Sequence, residues 1–221
     1  SEITVTCFLS SSEYNNRFVE VVSHFENTKY YLLTMPLYPQ TLREWFESSE
    51  NKSFQPRLEA CVKKSHCLLG LNELEYAHRD VKLDNFVKDA EQNIRLIDFG
   101  RALPFGESEN DKQYRSDHFS KHRPKQCFTK RCQTDLTTDV YGPVYSCLHM
   151  HLGNKFSIFL GDAKFTNISR KVQALKQLVK GSCLEELMKL YVYDNELSNA
   201  TVQDVLDALP ERLSQLEAPI S

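Results

Sequence analysis

Four polar residues near the middle of the chain have types and spacing that suit one chemical task. Asp80, Lys82 and Asn85 lie close together on what reads as a short loop, and Asp98 follows after a gap the size of a hairpin. The first acid could accept the proton of a hydroxyl group, and the lysine could offset growing negative charge on a phosphate. Asparagine and aspartate oxygens are hard ligands that suit Mg²⁺. The spacing therefore predicts a site for a nucleotide, its divalent metal and a hydroxyl acceptor.

The letters around these residues form two linked motifs. The first reads His78-Arg79-Asp80 with Asn85 five residues after the acid, and the second reads Asp98-Phe99-Gly100. This order resembles the H-R-D-x-x-x-x-N and D-F-G signature of eukaryotic protein kinases, with every named letter present. Lys82 resembles the lysine of Ser/Thr kinases more than the residue that Tyr kinases carry there.

The resemblance implies a function, with ATP and Mg²⁺ as cofactors. The expected reaction is transfer of the ATP γ-phosphate to Ser or Thr of a protein. Asp80 and Lys82 would be catalytic, and Asn85 and Asp98 would bind the nucleotide through Mg²⁺. Arg79 would pair with a phosphorylated residue of the following loop.

The same resemblance implies an α+β, kinase-like fold with a mostly helical C-lobe. Residues 1–34 would be a partial N-lobe of one helix and a β-hairpin, residues 35–38 the hinge, and residues 39–221 the C-lobe. Met35 and Leu37 of the hinge would hold the adenine. Glu2 would belong to the small-lobe helix whose glutamate meets a nucleotide-positioning lysine. Periodicity alone does not decide between helix and strand for residues 1–9, and the resemblance favours the helix.

Hydrophobic periodicity and turn signals give the other predicted elements. The predicted hairpin runs from Phe18–Val22 through a turn to Tyr30–Thr34, and Thr41 is a predicted N-cap. The remaining predictions are a helix at 42–46, a helix at 57–76, strands at 86–87 and 94–97, a loop at 101–138, a buried helix from Asp139, and helices at about 167–179, 183–192 and 201–209.

Composition excludes several classes of protein. The 221 residues are 41% hydrophobic and 26% charged, with a net charge of −3, so neither nucleic acid nor an anionic membrane is indicated as a partner. No apolar run approaches the roughly 20 residues of a membrane span, and the first residues lack a signal-peptide pattern. Seven scattered cysteines without a Cys-x-x-Cys pair favour free thiols and an intracellular location, cytoplasmic or nuclear. The expected partner is a protein substrate or a regulated protein, and the sequence indicates no oligomeric state.

Three departures from the kinase pattern support an alternative reading. No Gly-rich loop or following lysine precedes Glu2, so we expect a fragment or a truncated lobe that binds ATP–Mg²⁺ weakly or not at all. Where kinases have an Ala-Pro-Glu segment, this chain has Arg123–Lys125, and residues 194–201 lack the arginine that usually pairs with its glutamate. Residues 117–121 stand in place of the segment that shapes the peptide-substrate platform. The alternative is a non-catalytic kinase-like module that regulates or scaffolds other proteins.

The polar segment at 101–138 carries further hypotheses, since so long a loop is usually functional. A phosphorylation switch and a basic patch for acidic partners are two of them, against the simpler reading of solvated polar residues. A zinc site from an H-x₃-H-x₄-C-x₄-C spacing is a third, although the spacing fits no standard zinc finger. The residues concerned are Ser108, Tyr114, Ser116 and Ser120 for the switch, Lys121, His122, Arg123, Lys125, Lys130 and Arg131 for the patch, and His118, His122, Cys127 and Cys132 for zinc.

Overall fold

Helices and short antiparallel strands make up the fold. The computed structural model describes residues 2–48, 53–107, 134–153, 173, 176–182, 184–190 and 199–209. The elements are α1 (Glu2–Ser10), β1 (Ser23–Glu26), β2 (Tyr31–Thr34), β3 (Gln40–Thr41), α2 (Leu42–Glu47), α3 (Phe54–Glu73), β4 (Tyr76–Ala77), β5 (Phe86–Lys88), β6 (Ile94–Leu96), β7 (Leu103–Pro104), α4 (Tyr141–Leu152), α5 (Glu185–Lys189) and α6 (Val202–Ala208). The strands pair as β1–β2, β3–β5–β6 and β4–β7. The described residues therefore form a mixed α+β structure.

The N-terminal segment forms the predicted helix and hairpin, but the first strand is displaced. The prediction of a strand at Phe18–Val22 is wrong, because β1 begins at Ser23 and pairs with β2 from Ser23↔Thr34 to Glu26↔Tyr31. Phe18 instead makes a single parallel bridge to Leu96 and is fully buried. Phe18 and Val19 are thus used for core packing, which overrides the local strand preference of this segment.

Helix α3 crosses the core, and its ends differ from the predicted 57–76. It begins three residues earlier, because Pro56 in the first turn has no N–H that needs a partner there. It ends at Glu73, because Glu75 takes a left-handed φ of 60° and the chain then enters β4. Its buried side includes Leu58, Leu68 and Leu71.

Helix α4 is buried on nearly all sides, as predicted from its apolar composition. It begins at Tyr141, two residues after the predicted start at Asp139. It packs against α3, α5 and α6, so it lies at the centre of the helical part. Asp139 is not in the helix, and its side chain serves the loop described below.

Smaller elements match the predictions in type, with shifted ends. Thr41 caps α2 in a capping box with Glu44, which confirms its predicted role. Helices α5 and α6 are shorter than the predicted 183–192 and 201–209. Residues 173 and 176–179 are helical, while the rest of the predicted 167–179 helix lies outside the described residues. Among the described residues, no helix is long and apolar enough to span a membrane.

Candidate functional site

The loop between β4 and β5 brings three of the four predicted residues into direct contact. Lys82 Nζ lies 2.7 Å from Asp80 Oδ2. Asn85 Nδ2 donates to the Asp80 backbone carbonyl at 2.9 Å and to Asp80 Oδ2 at 3.3 Å. The Asp80 side chain is 13% exposed and that of Lys82 is 31% exposed, so a ligand in solvent can reach both side chains.

Asp98 lies beside this loop through a backbone contact. The Ile97 N–H donates to the Asn85 carbonyl at 3.0 Å. Asp98 is the next residue after Ile97, so its backbone lies close to that of Asn85. Asp98 itself is exposed and has a φ of 64°, a left-handed conformation that non-glycine residues rarely adopt. Such strain persists only where the surroundings hold it.

Phe99 provides that hold on Asp98. Its ring is 1% exposed and packs edge-on against Phe18, with ring centroids 6.0 Å apart. The His78 ring contacts its other side at a centroid distance of 5.5 Å. Because Phe99 is fixed in the core, the neighbouring carboxylate is directed outward.

Two further groups hold the backbone of the loop. The Asp139 carboxylate accepts hydrogen bonds from the backbone N–H groups of His78 and Arg79, the latter at 2.8 Å. His78 Nδ1 accepts from the Asp80 N–H at 3.3 Å, and Nε2 lies 3.0 Å from the Ile97 carbonyl, so the ring is protonated on Nε2. Arg79 has a φ of 69°, and these bonds maintain that conformation.

Glu2 reaches the same region from α1. A Cβ placed on Gly100 would lie 3.2 Å from Glu2 Oε2 and 3.4 Å from Asp98 Oδ1, so both carboxylates border one point. The Tyr31 hydroxyl donates to Glu2 Oε2 at 2.6 Å. This hydrogen bond is the main reason why the pKa of Tyr31 is raised, with added repulsion from Glu2 and Asp98. The sequence signal for Tyr31 was weak, since it is one of several aromatics on the hairpin.

Met35 and Leu37 lie on the connection after β2, and both are exposed. Leu37 is 97% exposed. Tyr38 anchors this connection, because its hydroxyl accepts from the Glu20 N–H at 3.2 Å. Their role in adenine binding stays a prediction.

The described residues supply a donor set that fits Mg²⁺ in type. Both amide hydrogens of Asn85 point towards Asp80, which turns the amide oxygen away from it, and Asp98 adds a carboxylate. No group of three or more His, Cys, Asp or Glu side chains suited to a metal occurs among the described residues. The predicted zinc ligands, phosphorylation sites and basic patch, together with Arg123–Lys125 and residues 117–121, lie outside that part of the chain.

Two comparisons with curated proteins support a kinase-like relationship. The chain is 27% identical over 106 residues to serine/threonine-protein kinase PSK1 of Saccharomyces cerevisiae, which covers 46% of this chain and 8% of that protein. It is 29% identical over 107 residues to serine/threonine-protein kinase oca2 of Schizosaccharomyces pombe, covering 47% of this chain and 16% of that protein. The matches thus span less than a fifth of either relative. No family model matches the chain. The mixed α+β fold of the described residues is compatible with a kinase-like domain.

Proposed function

We propose that this chain is a kinase-like domain that transfers the γ-phosphate of ATP to a Ser or Thr hydroxyl of a protein. The observation that carries the proposal is the convergence of Lys82 Nζ and Asn85 Nδ2 on the Asp80 carboxylate, beside Asp98. The partial similarity to two Ser/Thr kinases supports the same reaction class.

Asp80 and Lys82 have complementary roles in this proposal. The Asp80 carboxylate orients the attacking hydroxyl and accepts its proton. The Lys82 ammonium pairs with Asp80 at 2.7 Å and is partly exposed, so it can turn towards an incoming phosphate and offset its charge. Because phosphoryl transfer depends on positioning and charge neutralisation, this pair would orient the acceptor hydroxyl and offset charge on the transferred phosphate.

Asn85 and Asp98 would hold Mg²⁺ through an amide oxygen and a carboxylate oxygen. The metal, when bound, supplies charge neutralisation at the phosphates. Asn85 also holds the Asp80 backbone carbonyl, so one side chain both binds metal and shapes the catalytic loop. Met35 and Leu37 would border the adenine.

The test is transfer of labelled phosphate to a Ser/Thr peptide library at millimolar ATP–Mg²⁺, a concentration chosen because we expect weak nucleotide binding. Asp80→Asn is expected to lower incorporation by at least about 100-fold, since it removes the proton acceptor. Nucleotide binding, followed by calorimetry, should survive that change and be lost in Asp98→Asn. Glu91→Gln, which changes an exposed acid in the β5–β6 turn, is the control. Equal incorporation by wild type and Asp80→Asn would exclude the proposed chemistry.

A second candidate function is a non-catalytic binding module. The observation that favours it is the hydrogen bond from the Tyr31 hydroxyl to Glu2 at 2.6 Å. In kinases the corresponding glutamate pairs with a lysine instead. Two carboxylates then border Gly100, and their repulsion opposes the approach of a triphosphate. Calorimetry separates the candidates: no ATP–Mg²⁺ binding at millimolar nucleotide, together with no phosphate incorporation, would favour the binding module.

A further inference from the structure

A row of charged side chains crosses the candidate loop. Asp80, Lys82 and Asp84 are partly exposed, whereas Val81 and Leu83 between them are buried. The backbone at Lys82 is extended, with φ −146° and ψ 162°. Alternate residues of an extended segment point to the same side. The three charged groups therefore share the outer side of the loop.

Lys82 lies in the middle of this row, with an acid two residues away on each side. Its Nζ contacts Asp80 Oδ2 at 2.7 Å. Two residues of an extended chain are at most about 7 Å apart, and the contact with Asp80 shows that a lysine and an aspartate side chain together cover this distance. Asp84 stands at the same spacing on the other side. Lys82 therefore has a second carboxylate within reach, and its ammonium can pair with either acid.

Arg43 of α2 occupies that second carboxylate. Its Nε lies 2.6 Å from Asp84 Oδ1 and its Nη2 lies 2.8 Å from Asp84 Oδ2, so the guanidinium takes both oxygens in a fork. These hydrogen bonds are the main reason why the pKa of Asp84 is lowered, and the charge of Lys82 lowers it further. Because both oxygens are held by Arg43, Asp84 is a weaker competitor for the lysine.

Arg43 can hold Asp84 in this way because the start of α2 is fixed. Thr41 caps the helix and also pairs with Val87 in the β3–β5 ladder, so α2 begins beside the strand that follows the candidate loop. Arg43 has one further acid nearby, since Glu47 Oε1 lies 3.7 Å from its Nη1. The Glu47 side chain is 62% exposed, so this second pair is the weaker of the two.

We propose that Arg43 is a positioning residue, which holds the Asp84 carboxylate so that the Lys82 ammonium stays with Asp80 and remains available to a transferred phosphate. The consequence for phosphate transfer rests on the function proposed above. Without Arg43, the freed Asp84 carboxylate competes for Lys82 and draws its ammonium away from the point where negative charge grows. Arg43 thus acts on the reaction through Asp84, without contact to the substrate.

The proposal predicts that the two partners of the ion pair are not equivalent. Arg43→Gln frees Asp84 to compete for Lys82, so phosphate transfer should fall about fivefold, the factor that one partly exposed ion pair can supply. Asp84→Asn removes the competitor, so this variant and the double variant Arg43→Gln/Asp84→Asn should both stay within about twofold of wild type. An ion pair that only stabilised the fold would give equal losses from either single change and no recovery in the double variant.

The experiment measures transfer of labelled phosphate to the Ser/Thr peptide library by wild type, the two single variants and the double variant. Urea unfolding of the same proteins gives the structural readout, and both single variants should lose stability to a similar extent because each breaks the same pair. Glu47→Gln is the matched control, since it removes the other acid beside Arg43 and should leave transfer unchanged. Similar transfer by Arg43→Gln and Asp84→Asn, or no recovery in the double variant, would overturn the proposal.

A second measurement does not depend on catalysis. NMR of the chain with ¹⁵N-labelled lysine and ¹³C-labelled aspartate detects scalar coupling across the hydrogen bond between the Lys82 ammonium and a carboxylate. The coupling should be to Asp80 in wild type and to Asp84 in Arg43→Gln. If wild type transfers no phosphate but the coupling moves in this way, the proposed function fails and the role of Arg43 in placing Lys82 stands. Coupling to Asp80 in both proteins would overturn the proposal even if wild type is an active kinase.

Discussion

Gly142 is the position where the structure gives the sharpest prediction for stability. It is the second residue of α4, and a Cβ built there would lie 2.5 Å from Val81 Cβ and 2.7 Å from the Val81 carbonyl oxygen. Val81 is 4% exposed and separates Asp80 from Lys82 in the candidate site. Helix α4 therefore approaches the loop at a distance that only glycine allows.

Two opposing effects decide the outcome of Gly142→Ala. Alanine favours a helix over glycine by at most about 1 kcal/mol. The new methyl group must move the helix or the loop by roughly 1 Å, and overpacking of this kind costs about 1–3 kcal/mol, occasionally more. The obstructing atoms are a backbone oxygen and a Cβ, which cannot rotate away. We expect the variant to be less stable than wild type by about 1–2 kcal/mol.

Urea unfolding of both proteins measures this difference, with Gly70→Ala as the matched control. Gly70 lies in α3, and its Cβ would meet Arg17 Cδ at 2.8 Å. That obstacle is the partly exposed side chain of Arg17, which can turn aside, so this variant should stay within about 0.5 kcal/mol of wild type. Equal stability of the two variants, or a Gly142→Ala protein more stable than wild type, would refute the reasoning.

Three further predictions follow from single contacts, each measured by urea unfolding. Asp139→Asn should cost about 2–3 kcal/mol, because an amide accepts from only one of the two loop N–H groups; an unchanged stability would contradict this. Phe99→Ala should cost about 3–5 kcal/mol and Phe99→Leu less than half as much, and similar losses would count against a packing role. The Arg43 guanidinium contacts Asp84 at 2.6 and 2.8 Å and lowers the pKa of that acid. A carboxyl group whose pKa is lower in the folded state stabilises the fold at pH values above its unfolded pKa. That contribution is lost as pH falls through the folded pKa. Asp84→Asn should therefore be less stable by about 0.5–1 kcal/mol at pH 7, with a difference that shrinks as pH falls below about 4 and is lost once pH falls below the lowered pKa of the folded state; a constant difference would contradict the pairing.

Features that depend on local chemistry could be predicted from the sequence. The Thr41 cap needs only a glutamate three residues later, and the pairing of β5 with β6 needs only two short apolar runs around a turn. The spacing of Asp80, Lys82 and Asn85 belongs to the same class, because the three share one loop.

Several features that depend on distant contacts could not be predicted from local sequence. Residues 18–22 have strand composition, yet the fold buries Phe18 against Phe99 and moves the strand to β1. The two-residue strands β4 and β7 are too short to show periodicity. The roles of the site residues themselves stay predictions.

The shape of the candidate loop depends on these distant contacts more than on its own sequence. Arg79 and Asp98 both have left-handed backbones, which cost on the order of 1 kcal/mol or more each. Asp139 offsets the first cost across 60 residues of chain, and Phe99 offsets the second through the core. A sequence that kept Asp80, Lys82, Asn85 and Asp98 but lost Asp139 and Phe99 would have the functional groups without the backbone conformation that brings them together. It follows that substitution of Asp139 or Phe99 should lower the proposed phosphate transfer about as much as substitution of Asp80, although neither residue is proposed to touch a substrate.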